Sequence, residues 1–455
     1  MRTQIAVIGL GYIGLPLSLA LCERGETVVG VDVDERKVNE LRAGVTHVME
    51  PYRGESLASI LRRHLESGCF TATTSLVEAA ERADTFIVTV GLPVAGDVVD
   101  KAPLLACVND LGQALSRGDL VLIRSTLVPG MMEDEIVPRL ASASGLVPGR
   151  DFHVAYAPER VAEGRAMEEF QTLDVVVAGL TDACAHRAMA VLARLTDGRL
   201  HKTSLRVAEL SKVVENAQRD VNIALAHELK MVAEQHGVDV YELIRMANTH
   251  PRVHLLEPNI GVGGFCIPNA YAYLAASLTS DEHIPLFSLA RQINLTAPHR
   301  AARQLDDALR QIGKRLSGAR VALLGLGMKD GSNDIRQSPA VHFAEILAER
   351  GAAVTAFDPT VEPYFPFQAP SLEDCLADAD AVAVAAWQPA FDAAPWPALL
   401  ARARQPLVAL DLKRRLVPSL KEAGWQIRGD SHLPYIAMPA PHASAERDCA
   451  VEMVP

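Results

Sequence analysis

The chain has 455 residues, 49% hydrophobic and 22% charged, with a formal net charge of −12. At roughly 150 residues per domain this length holds about three domains, and the composition excludes a disordered or collagen-like chain. The acidic balance argues against nucleic-acid binding, and no run of about 18 uncharged apolar residues marks a membrane span.

In chain order, the start MRTQIAVIGLGYIG reads as a strand (5–9) entering a glycine turn rather than as a signal peptide. A helix follows at 15–24, stopped by Gly25, then a Val-rich strand at 27–33 and a charged helix at 35–42. Further apolar runs at 85–90, 120–124, 153–157 and 174–179 read as strands. Strands alternating with helices imply a parallel sheet covered on both faces. From about Ser204 the pattern turns helical: 207–236, 240–247, and 287–296, the last expected to stop before Pro298. Alternation resumes with strands at 321–325, 353–358, 381–386 and 407–412 and a helix at 339–350. The parse is a helical middle joining two α/β ends, with a loose segment after Gly429. Of seven cysteines (Cys22, Cys69, Cys107, Cys184, Cys266, Cys375, Cys449) no two have CxxC spacing. Neither a metal site nor a disulfide framework is indicated, and free thiols suit a reducing cytoplasm.

Gly9-Leu10-Gly11-Tyr12-Ile13-Gly14 is a GxGxxG turn between a strand and a helix. Gly9 allows the turn, Gly11 lets backbone approach a pyrophosphate, and Gly14 permits close helix packing. Asp32, ending the next strand, is placed to accept ribose hydroxyls and repel a 2′-phosphate, which favours NAD over NADP. Lys37 falls near the adenosine end. A second turn, Gly325-Leu326-Gly327, lacks the third glycine, and its next strand ends in Asp358-Pro359. It reads either as a nucleotide-binding unit of altered specificity or as a packing turn.

Gly261-Val262-Gly263-Gly264-Phe265-Cys266-Ile267-Pro268 places a thiol on a glycine-built loop. Cys266 is a candidate nucleophile, with a buried inert cysteine as the other reading. Lys212 and Asn216, four apart in a helix, share a face, and Arg219 and Asn222 continue its polar character. An ammonium beside an amide suits an oxyanion; a solvated polar stripe is the plainer reading.

VIGLGYIGLPLS, STLVPG, YAPERVAEG, AELSKVVENAQRDVNIA, GVGGFCIP and GMKDGSNDIRQSPA occur in this order. Together they resemble the nucleotide-sugar 6-dehydrogenases, the UDP-glucose/GDP-mannose dehydrogenase family, over about residues 1–430. RDVNIA and Asn248-Thr249-His250-Pro251-Arg252-Val253 resemble most the branch acting on UDP-N-acetylhexosamines. The resemblance implies an α/β fold of two Rossmann-like doubly wound parallel-sheet domains joined by a central helical dimerisation domain. The expected bounds are 1–198 for an NAD domain, 199–300 for the helical domain, 301–432 for a UDP-sugar domain, and 433–455 for a tail. It implies a homodimer and a twofold NAD-dependent oxidation of a sugar C6 alcohol to the acid. Cys266 would attack the C6 aldehyde, and the thiohemiacetal would be oxidised to a thioester that water releases. Lys212 and Asn216 would stabilise the oxyanion, and Glu159 and Thr126 would organise the water and proton transfer. Tyr12, Ile13 and Thr126 join the glycines in holding NAD. Arg336, Lys329, Gly263 and Arg219 would line the UDP-sugar site, joined by Glu159 and Arg160 and by Lys212 and Asn216. His250 and Arg252 belong to that site too, Arg252 lying near the dimer interface and the partner's substrate.

The chain departs from the family pattern at several points. The usual acid four residues after the thiol is Ala270, with Asn269 beside it. Phe265 stands where a small or imidazole side chain is usual, Arg124 where an acid often precedes Ser125, and Met131-Met132 where Thr is common. The loop 97–101 is atypical as well. The missing acid opens an alternative: a paralogue that stops early, retains its NAD as an epimerase, or only binds nucleotide sugar.

Overall fold

Strand Gln4–Ile8 is buried at four of its five positions, as an apolar run must be when helices cover both faces of a sheet. It lies inside an eight-stranded sheet of the computed structural model, which describes residues 4–279, 283–428 and 435–438. From one edge the strands are Leu200–Thr203, Val175–Gly179, His153–Tyr156, Leu120–Ile123, Ala83–Val88, Gln4–Ile8, Val28–Val31 and Phe70–Thr73. All neighbours run parallel except the pair His153–Tyr156 and Val175–Gly179. The Gly9 turn, the Ser125 loop and the Glu159 loop therefore leave the same, carboxyl-terminal edge of the sheet, where open α/β sheets bind ligands. This sheet belongs to one of two units, Met1–Arg219 with Asn269–Pro285.

The other unit, Asp220–Pro268 with Leu286–Pro455, holds a six-stranded sheet. Ala353–Phe357, Arg320–Leu324, Ala381–Val384 and Leu407–Asp411 are parallel; Tyr435–Met438 and Gln426–Arg428 complete it antiparallel. Strand Tyr435–Met438 corrects the expectation of a loose segment after Gly429. Its alternate residues Tyr435 and Ala437 are fully buried in the core, so side-chain packing holds a stretch whose flanks carry no strand signal. The remainder of the expected tail lies outside the described residues.

The helix expected at 207–236 is Leu205–Gln235, and Val240–Ala247 begins at Asp239, whose carboxylate accepts the Tyr241 amide. Pro285–Gln311 overturns the expected stop before Pro298: the helix runs through the proline. Its buried residues Ala290, Asn294, Ala297, Ala301, Leu305 and Ala308 recur every three or four positions on both sides of Pro298. Continuous burial of that face outweighs the lost helix bond. Among the described residues no helix is long and apolar enough to cross a membrane.

Candidate active site

Gly9 has φ +94°, and a side chain there would press on the Thr89 carbonyl. A Cβ on Gly14 would lie 1.8 Å from the Gly9 oxygen, so only glycine lets helix Gly14–Glu23 seat on the turn. At Gly11 an added Cβ meets nothing within 4 Å, leaving this stretch of backbone open. The first helical turn has no side-chain cap; the Leu15 and Leu17 amides donate to the Gly11 and Ile13 carbonyls and Pro16 has no amide hydrogen, so the positive end of the helix dipole is what favours an anion there. Asp32 is nearly buried: Oδ2 accepts the Leu10 amide at 2.8 Å and Lys37 Nζ at 2.9 Å, and Oδ1 accepts the Asp34 amide at 3.0 Å. The carboxylate thus braces the glycine turn and places Lys37 beside it. Tyr12 and Ile13 are half-buried on the turn, with the Tyr12 ring edge-on to His47. An open glycine, an uncapped helix start and a fixed carboxylate fit a dinucleotide.

Thr126 is half-buried in the loop after strand Leu120–Ile123. Glu209, fully buried on helix Leu205–Gln235, clamps that loop by accepting the Gly130 and Met132 amides, each at 2.8 Å. Burial pushes its carboxyl above the ordinary range, while the two amides pull the other way. Glu209 precedes Lys212 by three residues and Asn216 by seven, so one helix face carries all three. Lys212 and Asn216 are 7% and 5% exposed, which rules out the solvated-stripe reading. No carboxylate among the described residues forms an ion pair with Lys212. Arg219 is exposed.

Glu159 is 9% exposed and heavily engaged. Oε2 accepts Arg124 Nη2 at 2.6 Å, and Oε1 accepts the amides of Arg160 and Val161 at 2.6 and 2.7 Å. Arg160 is itself committed, pairing with Glu215 at 2.8 Å and donating to the Asp174 carbonyl at 3.0 Å. The roles of Arg124 and Glu209 escape sequence reasoning, although the three-residue spacing from Glu209 to Lys212 is the signal that points to the latter.

In the other unit Cys266 is exposed, which excludes the buried-cysteine reading for it. Burial pushes the thiols of Cys22, Cys107 and Cys375 up to about 12, and Cys184 is buried too. Cys69 is half-buried, and Cys449 lies outside the described residues. The loop before Cys266 is set by close packing. A Cβ on Gly263 would meet the Gln337 oxygen at 2.8 Å, and one on Gly264 (φ +75°) would meet Met328 Sδ at 2.4 Å. The Gly264 amide donates to the Arg336 carbonyl at 2.9 Å, and the Arg336 guanidinium lies over the Phe265 ring at 4.6 Å. Asp334 holds the same guanidinium, accepting Nε at 2.8 Å and Nη2 at 2.6 Å. Lys329 is half-buried nearby in sequence, whereas His250 and Arg252 are exposed, the Arg252 amide donating to His250 Nδ1 at 3.3 Å.

The second glycine turn repeats the first. The Asp358 carboxylate accepts the Leu326 amide at 2.7 Å, as Asp32 accepts that of Leu10, and also Gln388 Nε2 at 2.9 Å. Asp358 is therefore a brace for the turn. Ala270 is buried and opens the short helix Ala270–Ala275; no carboxylate stands there.

Three family models match in order: the NAD-binding domain of UDP-glucose/GDP-mannose dehydrogenases at 3–196, the central domain at 206–296, and the UDP-binding domain at 322–418. The chain belongs to the UDP-glucose/GDP-mannose dehydrogenase family. As a member it is an NAD-dependent nucleotide-sugar dehydrogenase with two Rossmann-like domains and a central helical domain. Among its relatives, the UDP-N-acetyl-D-mannosamine dehydrogenase of Pyrococcus horikoshii is 38% identical over 396 residues, 87% of this chain and 92% of that one. The enzyme of that name in Escherichia coli K12 is 36% identical, covering 76% and 82%. The solved UDP-D-ManNAc dehydrogenase of P. horikoshii superposes with a TM-score of 0.82 at 36% identity, covering 90% and 94%. The UDP-N-acetyl-mannosamine dehydrogenase of Staphylococcus aureus gives 0.79 at 29%, covering 91% and 95%.

Proposed function

We propose that this dehydrogenase oxidises the C6 alcohol of a UDP-N-acetylhexosamine to the uronic acid through a covalent intermediate on Cys266. The exposed thiol on its tightly packed glycine loop carries the reading. Two molecules of NAD, bound in turn, would each accept one hydride, one for each two-electron step. After the first oxidation the Cys266 sulfur bonds to the aldehyde carbon and its proton goes to the carbonyl oxygen. Loss of hydride from the carbon of that thiohemiacetal, with its hydroxyl proton passing to solvent, leaves a thioester, and water then releases the acid and returns the thiol. Lys212 and Asn216, buried side by side, stabilise the developing oxyanion. Glu159 and Thr126 orient the water. Gly263, Lys329, Arg336 and Arg219 belong to the UDP-sugar site, with Arg160 supporting Glu159 from its edge. The choice of an N-acetylhexosamine rests on relatives named for UDP-N-acetyl-D-mannosamine.

A homodimer through the central helices, with His250 and Arg252 at the interface, and a cytoplasmic location complete the reading. Exposed Val207, Leu210, Val214, Leu225 and Val232 on helix Leu205–Gln235 support the dimer. One observation favours the alternative paralogue, which stops early, retains NAD as an epimerase, or only binds: Ala270 offers no base. NADH absorbance with UDP-ManNAc or UDP-GlcNAc, with mass spectrometry of the product, separates them. Acid with two NADH supports the dehydrogenase; an isomerised sugar without free NADH supports the epimerase; no turnover leaves a binding protein.

A further inference from the structure

We infer that Arg124 is a positioning residue that commits Glu159 to accepting a single further hydrogen bond, an inference that rests on the oxidative reading above. Two ties join the pair. The guanidinium donates to Glu159 Oε2 at 2.6 Å, and the Glu159 amide donates to the Arg124 carbonyl at 3.2 Å. The Arg160 and Val161 amides occupy Oε1. A carboxylate offers about four acceptor sites. Among the described residues three are filled, which leaves one on Oε2, the oxygen that Arg124 holds.

The fold bears a cost for this arrangement. Arg124 is 3% exposed, yet among the described residues its Nε and Nη1 have no hydrogen-bond partner; the Phe170 ring centroid lies 5.6 Å from the group. A buried cation with orphaned donors destabilises a fold, and such groups persist where they serve a site. Both residues follow the carboxyl-terminal ends of adjacent strands, Leu120–Ile123 and His153–Tyr156, Arg124 standing two residues before Thr126. Glu159 thereby serves as a fixed acceptor for one water or hydroxyl proton. With Ala270 in place of an acid, ordering that one water falls to Glu159, and Arg124 sets its direction.

The test is a double-mutant cycle on the full-length protein, with NADH and acid followed in single-turnover assays for the rate and in steady-state assays for KM. Arg124→Met should lower the rate of acid formation about tenfold to a hundredfold, with the KM for NAD and for nucleotide sugar changed less than about twofold. In a Glu159→Gln background the same change should cost less than about twofold, because Arg124 acts through the carboxylate. Arg124→Lys should recover part of the loss. Equal losses in both backgrounds, or a loss confined to KM, overturn the inference. Should Arg124→Met fail to fold, as judged by circular dichroism and UDP titration, the cycle of Arg124→Lys with Glu159→Gln carries the same comparison. Wild-type protein that forms no NADH overturns the oxidative reading itself, a result distinct from an additive cycle.

Discussion

The buried carboxylate of Glu209 lies 2.8 Å from the Gly130 amide and bridges from there to Met132, pinning the loop that bears Thr126 to the helix that bears Lys212. Glu209→Ala orphans both amides. Each buried unsatisfied donor costs about 1–3 kcal/mol, so urea unfolding should show a loss of that order or twice it. Glu209→Gln, keeping one acceptor, should fall between. Unchanged unfolding in both variants would show that the bridge does not carry the loop.

Gly14→Ala should remove NAD binding and destabilise the first unit together, since its Cβ would stand 1.8 Å from the Gly9 oxygen. Gly11→Ala, where an added Cβ meets nothing within 4 Å, should leave stability within about 0.5 kcal/mol while weakening NAD binding. Calorimetric titration with NAD and thermal unfolding separate the two effects.

Asp32→Ala removes the carboxylate proposed to accept the ribose hydroxyls, together with the brace on the Leu10 amide. The KM for NAD should rise at least tenfold, and the preference for NAD over NADP should shrink as the repulsive charge is lost. An unchanged cofactor preference would place the ribose elsewhere.

His227 predicts a pH effect on stability. Burial, with Lys230, Arg300 and Arg291 facing it, pushes its imidazole down to about 3 from 6.5. The folded protein therefore keeps it neutral while the unfolded chain protonates it below 6.5. Stability falls as pH drops from 6.5 towards 3, by up to about 1.4 kcal/mol per unit. Between pH 7 and 5, wild-type protein should lose about 2 kcal/mol more than His227→Gln. Equal losses would show that the imidazole titrates normally in the fold.

Much of this is legible in the sequence, for a physical reason. Parallel strands buried on both faces are continuous apolar runs, so Gln4–Ile8, Leu120–Ile123 and Arg320–Leu324 are found within a residue. The glycine turn is legible because its geometry excludes other residues at Gly9 and Gly14. Edge strands Phe70–Thr73 and Leu200–Thr203 are missed; the latter is only half-buried and shows no apolar run. Pro298 misleads because helix rules are local, whereas that helix is held by a buried face extending over both its sides. Arg124 marks a departure in sequence, but only the fold supplies its partner, 35 residues away.

Ala270→Asp should raise the rate of acid release if a weakened base limits it, since general base help is commonly worth about 10²–10⁴-fold. Loss of a native reaction in that variant would instead assign Ala270 to a different chemistry. Product analysis by mass spectrometry distinguishes them.

The proposed reaction turns on a bond between sulfur 266 and the sugar carbon. Wild-type and Cys266→Ala proteins, incubated with NAD and a UDP-N-acetylhexosamine, give the direct test when NADH and uronic acid are both counted. Wild type should give two NADH for every acid, and the variant no acid. Acid made by Cys266→Ala at the wild-type rate would contradict the proposed reaction.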